Sequence, residues 1–171
     1  MEIQETIINK VAQSGLVTLD PASFYPEGER VVYDIADNLF QGLILREKDF
    51  REFVKTHDWS QYKDKYVAVT CTADAIVPAW AYMLLANRLA PFAREVVFGN
   101  EEVLETVLFE KNIAKMEVEQ YRDQRLVLKG CGDIPVPVSA YVELTKKLTP
   151  VVKSLMFGEP CSTVPIYKKK D

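Results

Sequence analysis

Hydrophobic and polar positions along the chain follow two rhythms. In "LILREKDFREFV" (43–54) and "EEVLETVLFEKNI" (101–113), apolar residues recur at three- and four-residue intervals with charges between them, the pattern of amphipathic helices. In "RVVYDI" (30–35), "YVAVTC" (66–71), "RLVLKG" (125–130), "REVVFG" (94–99) and "KSLMFG" (153–158), short β-branched and aliphatic runs predict strands, the middle ones apolar enough to be buried on both faces. Further helices are expected after Pro78 and Pro137, because proline suits a first helical turn, and these should turn back near Pro91 and Pro150. Ile3, Ile7, Ile8 and Val11 predict an N-terminal helix over residues 2–13.

The second half of this pattern restates the first. At an offset of 59 residues, 13 of 39 positions in 61–99 and 120–158 are identical, where chance gives about one in fifteen to twenty for ordinary composition. "QYKD" meets "QYRD", Asp74 meets Asp133, and Pro78, Tyr82, Leu89 and Pro91 meet Pro137, Tyr141, Leu148 and Pro150. The apolar helix positions Phe50 and Val54 meet Phe109 and Ile113. The expected architecture is α/β: a single three-layer domain over 1–171, with a mainly parallel sheet of about five strands flanked by helices. It is built on an internal helix–strand–helix–strand duplication, units 40–99 and 100–158, with a C-terminal extension over 159–171. The segment "LVTLDPASFYPEGE" and the tail "STVPIYK" fall outside the duplication and are expected to cap sheet edges, with an added antiparallel strand or hairpin.

Charge and composition narrow the function classes. A net charge of −4 in a chain with 27% charged residues argues against a nucleic-acid partner, and the apolar runs are too short to span a bilayer. A start with Glu2 and Glu5 is unlike a secretory leader, so a cytoplasmic location with three reduced cysteines is expected. Gly-x-Gly-x-x-Gly, Walker-type and Gly-x-Ser-x-Gly signatures are absent from the sequence. The one histidine, His57, is expected at the edge opposite the strand ends, which disfavours a Ser–His–Asp or Cys–His arrangement.

Chemistry is expected at the carboxyl ends of the parallel strands. Cys71, Cys131 and Cys161 each follow a predicted strand, and Asp34, Asp37, Asp74 and Asp133 fall in the same loops, so one edge should collect three sulfurs and several carboxylates. Three readings arise. Cys71, Cys131 and Cys161 could hold zinc or another thiolate-bound metal, although their spacing contains no Cys-x-x-Cys pair. Cys131, Asp133 and Cys161 are the catalytic candidates for a cysteine-dependent enzyme, without the arginine of a cysteine phosphatase, since Pro137 stands six residues after Cys131. Asp74, Asp133 and Trp80 are candidates for binding a small-molecule ligand; Trp80 has only Ser139 as its counterpart, so the two copies would differ there. Against these stand plainer roles: cysteines as small core residues, aspartates as turn or capping residues, and a non-catalytic interaction module that self-associates as a homodimer.

The segments "LFQGLILREKDFREFV", "AIVPAWAYMLL", "KGCGDIPVPVSAYVELT" and "KSLMFGEPCSTVPIYK" resemble a family of uncharacterised bacterial proteins, domain-of-unknown-function family 2480, over nearly the whole chain. The resemblance implies a small single-domain cytoplasmic protein. It carries over no activity and no site residue.

Overall fold

The computed structural model describes residues 15–159 and 161–170; the expected N-terminal helix over 2–13 lies outside the described residues. Backbone contacts divide the chain into a continuous unit, Pro26–Leu108, and a split unit that joins described residues 15–25 to 109–170.

The continuous unit is built on β2 (Arg30–Asp34), β3 (Tyr66–Thr70) and β4 (Glu95–Phe98), while β1 (Leu16–Leu19) belongs to the split unit. Its three strands are parallel in the order β2-β3-β4, with rungs Arg30↔Tyr66 and Tyr66↔Glu95. Alternation along β3 sorts its side chains: Val67 and Val69 enter one core, and Ala68 packs on the other face. Against the first face lie α1 (Glu47–Thr56), through Phe50 and Val54, and α2 (Ala79–Leu89), through Ala81, Leu85 and Leu89. Trp59 and Tyr62, in a short 3-10 turn, complete this core, the Trp59 indole N–H donating to the Val54 carbonyl at 2.8 Å. Against the second face lie Leu104 and Leu108, from the first turns of α3 (Glu101–Ala114).

The split unit pairs β1 with β5 (Arg125–Leu128), β5 with β6 (Ser154–Glu159), both parallel, and β6 with an antiparallel β7 (Ser162–Lys168). Its core takes Phe109 and Ile113 from the last turns of α3 and Ala140, Leu144 and Leu148 from α4 (Val138–Leu148), packed on Leu126, Leu128 and Leu155. Shifted back by 59, these helix and β5 residues are Phe50, Val54, Ala81, Leu85, Leu89, Val67 and Val69, the corresponding core of the continuous unit. The rungs shift likewise: Arg125↔Ser154 stands 59 residues after Tyr66↔Glu95.

The α/β class, the mainly parallel pairing and the flanking helices agree with expectation, and the tail "STVPIYK" is the antiparallel strand β7. The strands form sheets of three and four. "LVTLDPASF" is not an edge cap outside the repeated pattern; it supplies β1, a parallel edge strand, and the turn after it. Its counterpart is β2, only 14 residues away: Asp20 follows β1 and Asp34 closes β2, and each carboxylate accepts the N–H of the alanine two residues on, Ala22 and Ala36, at 2.9 Å. The offset of 59 does not relate β1 to β2, because β1 precedes the other strands of its own unit by the length of the continuous unit.

Two shared sequence features have local physical causes. Asp64 and Asp123, which close "QYKD" and "QYRD", take left-handed backbones (φ 61° and 57°), which aspartate tolerates better than most residues. Their N–H groups donate to the Phe92 and Val151 carbonyls, both at 3.0 Å, tying each turn to the segment after the helix. Pro78 and Pro137 sit one position earlier than expected, as extended N-caps just before α2 and α4. Neither helix has a side-chain cap, so Asp74 and Asp133 do not cap them.

Candidate functional site at the strand ends of the split unit

Each strand of the split unit's parallel core ends on a residue with chemistry. Asp20 follows β1, Lys129 and Cys131 follow β5, and Glu159 closes β6. Lys129 is held by its backbone, whose N–H donates to the Leu19 carbonyl at 3.0 Å and whose carbonyl accepts the Tyr141 hydroxyl at 3.2 Å. Its ammonium reaches Asp20 Oδ2 at 3.2 Å, and this hydrogen bond and charge raise the lysine's pKa further.

Across the loop the Cys131 thiol donates to Glu159 Oε1 at 3.0 Å. The acceptor carboxylate, through that hydrogen bond and then its charge, raises the thiol's pKa, and Lys129 opposes it more weakly. A carboxylate beside sulfur keeps the proton on sulfur, the reverse of what activates a nucleophile or a metal thiolate. In a chain whose only cysteine is Cys131 (Cys71→Ser, Cys161→Ser), Glu159→Gln should therefore speed alkylation by iodoacetamide near neutral pH and move the pH–rate midpoint down. An unchanged or slower rate would show that Glu159 does not control the thiol.

Beside this polar cluster runs an apolar groove of about 500 Å³. Leu128 and Gly130 form its floor, Tyr141 and Val142 of α4 one wall, and Phe157 and Ile166 of the β6–β7 hairpin the other. The rings of Tyr141 and Phe157 meet edge to face at 5.5 Å. A Cβ at position 130 would lie 2.7 Å from Phe157 Cζ, so any side chain there would displace the Phe157 ring from the groove. Val138, Val142 and Ile166 along the groove are 77%, 55% and 51% exposed, unusual for large aliphatic side chains grouped together.

The continuous unit is furnished differently at the matching positions. Thr72 stands where Cys131 does, and its hydroxyl and N–H (3.1 Å) both donate to Asp34. Burial alone would raise the Asp34 carboxyl, but the hydrogen bonds from Thr72 and Ala36 outweigh it and hold the pKa below the usual carboxylate value. Asn100, at the position of Glu159, accepts the Val103 N–H at 3.0 Å at the start of α3. With its acceptors occupied, this end of the unit reads as structural.

The sequence candidates distribute as follows. The strands that precede the three cysteines belong to two sheets: Cys71 follows β3, whereas Cys131 and Cys161 follow β5 and β6. Cys71 is half-buried against the core, Cys131 and Cys161 are exposed, and all three are free thiols. Among the described residues no three His, Cys, Asp or Glu side chains are grouped as a metal ion would require. Asp74 and Asp133 are exposed loop residues. Trp80 packs on the continuous unit's core, 6.1 Å from the Phe50 ring, with the Arg51 guanidinium 5.5 Å from its own ring. His57 follows α1 and lies against Phe53 and Trp59, at 4.8 and 4.6 Å.

Sequence reasoning missed Asp20, Lys129 and Glu159. For Asp20 a signal existed in the likeness of "VTLDPA" to "VVYDIA". Lys129 and Glu159 sit beside the predicted strand ends, but nothing local distinguishes them from solvated charges.

Residues 5–169 match the model of a family described as "Protein of unknown function (DUF2480)". No curated protein and no solved structure matches the chain. Among the described residues no helix is long and apolar enough to cross a membrane.

Proposed function

The chain belongs to the DUF2480 family, whose description assigns no activity, and we propose from its own geometry that the split unit binds an apolar small molecule carrying a hydrogen-bond-donating head group. One observation carries this reading: Gly130 and Tyr141 belong to both the groove and the polar cluster. Gly130 lies between Lys129 and Cys131, and Tyr141 donates to the Lys129 carbonyl, so a ligand lying along Val142 and Phe157 brings one end to that cluster. Pockets of this size with an apolar lining and a few convergent polar groups are the usual form of small-molecule sites.

Charge selects the head group. At the Gly130 end two carboxylates, Asp20 and Glu159, face one ammonium, Lys129, and the thiol is neutral. Lys146 along the groove is already paired with Glu143 at 2.6 Å, so the Gly130 end favours an amine, amide or hydroxyl over a carboxylate or phosphate. The elevated thiol pKa favours this binding role over cysteine catalysis and over thiolate metal ligation. A cytoplasmic location is part of the reading, supported by the three free thiols.

Amide-resolved NMR with octylamine and octanoate as probes tests the proposal. Octylamine should shift Gly130, Tyr141, Val142 and Phe157 at up to about 1 mM, an affinity of about 4 kcal/mol, and Val142→Glu should abolish those shifts. Octanoate should bind more weakly at the same residues. Equal binding of the two probes would remove the head-group assignment, and no shift at the groove with either would remove the site.

A further inference from the structure

The two sheets differ at one edge. In the split unit, β6 has β5 on one side and β7 on the other. In the continuous unit, β4 holds the matching place, at rungs 59 residues earlier, but among the described residues it pairs with β3 alone. The surroundings of β4 repeat those of β6. Tyr82 and Phe98 meet edge to face at 5.0 Å and 78°, as Tyr141 and Phe157 do at 5.5 Å and 77°. A cleft beside them, lined by Val69, Tyr82, Met83 and Phe98, measures about 240 Å³, against about 500 Å³ where Ile166 of β7 supplies an outer wall. Phe98 is 69% exposed, whereas Phe157, opposite Val164 of β7, is 37% exposed.

The chain thus contains an example of what such an edge receives: an antiparallel strand with alternating apolar residues, Val164 and Ile166, and a basic end. The basic end has a counterpart on the continuous unit. In the split unit Lys169 pairs with Asp123 Oδ1 at 3.1 Å. The residue 59 positions before Asp123 is Asp64, an exposed carboxylate in the same left-handed turn. An open strand edge is a template for backbone pairing, and strand addition is a standard mode of peptide recognition.

We propose that β4 is a docking edge for an extended peptide that adds as an antiparallel strand, placing an apolar side chain beside Met83 and Phe98 and a basic residue near Asp64. The probe is a synthetic peptide of residues 162–170, "STVPIYKKK", titrated into the full isotope-labelled chain. Saturable shifts at Glu95–Phe98 and at Tyr82 and Met83 are expected. A peptide carrying Lys169→Glu should bind about two- to five-fold more weakly, the size of one charge pair across strands.

Three results would overturn the proposal. One is the absence of shifts at β4 at peptide concentrations that saturate no other site. Another is shifts confined to β6 and β7, meaning the probe only displaces the chain's own strand. The last is β4 amides that exchange with solvent as slowly as those of β6 before peptide is added, meaning a second copy or another part of the chain already covers the edge.

Discussion

Replacing Phe109 by alanine should destabilise the split unit by about 3–5 kcal/mol, and Phe50→Ala should cost the continuous unit a similar amount. Both rings are almost fully removed from solvent, at 0% and 2% exposure, and each meets the corresponding set of leucines from its α2 or α4 helix and neighbouring strands. The loss has two parts: the transfer free energy of a buried ring, and the cavity left where close-packed neighbours cannot collapse. Urea unfolding followed by circular dichroism, with amide exchange to locate the loosened unit, measures both variants. If Phe109→Ala loosened α1 and α2 and left α4 protected, the assignment of Phe109 to the split unit's core would be wrong.

The other large effect is expected at Gly158. Its φ is 122°, a region that side-chain-bearing residues rarely adopt, and a Cβ there would lie 2.5 Å from the Ser162 carbonyl oxygen. That oxygen is backbone in the partner strand, so relief requires β6 and β7 to part. Gly158→Ala should therefore cost on the order of 1–3 kcal/mol from strain alone, with added loss from broken pairing. Gly158 precedes Glu159 and the hairpin that walls the groove, so the same variant should weaken octylamine binding and accelerate exchange of the β7 amides. Gly99, its counterpart, has φ 142° and would place a Cβ 2.7 Å from Val103 Cβ on the following helix, so the same substitution there presses on α3 rather than on a strand. Thermal unfolding of the two alanine variants, read with amide exchange, separates the two causes: β7 should open in one and α3 in the other.

Much of the molecule was legible before any coordinates. Periodicity located α1 and α3 through Phe50, Val54, Phe109 and Ile113, and the offset of 59 picked out Leu89 and Leu148 as matching positions that both prove fully buried. It also flagged Asp64 and Asp123 as shared residues, which the left-handed turns explain. Such features depend on contacts a few residues apart, or on the burial that an apolar residue seeks wherever it finds a core. The candidate site was legible only in outline. The proposed site lies at the carboxyl ends of the strands, where the sequence led chemistry to be expected, and Cys131 is part of its polar cluster. Asp20, Lys129 and Glu159 were not singled out, because their meeting depends on which strand ends are brought together.

Sequence alone determined the helices α1–α4, the strands other than β1 and the repeated rhythm, since each is set by local backbone energetics and by amphipathic spacing. Tertiary structure alone decided that the strands divide into two sheets. It also sent β1 past the whole continuous unit to pair with β5, left β4 with one described neighbour where β6 has two, and set the Cys131 thiol against Glu159. The reason is physical: a strand's apolar pattern says that it will be buried, but not beside which other strand. That choice rests on backbone pairing and packing between segments more than a hundred residues apart, as between Leu16 and Arg125.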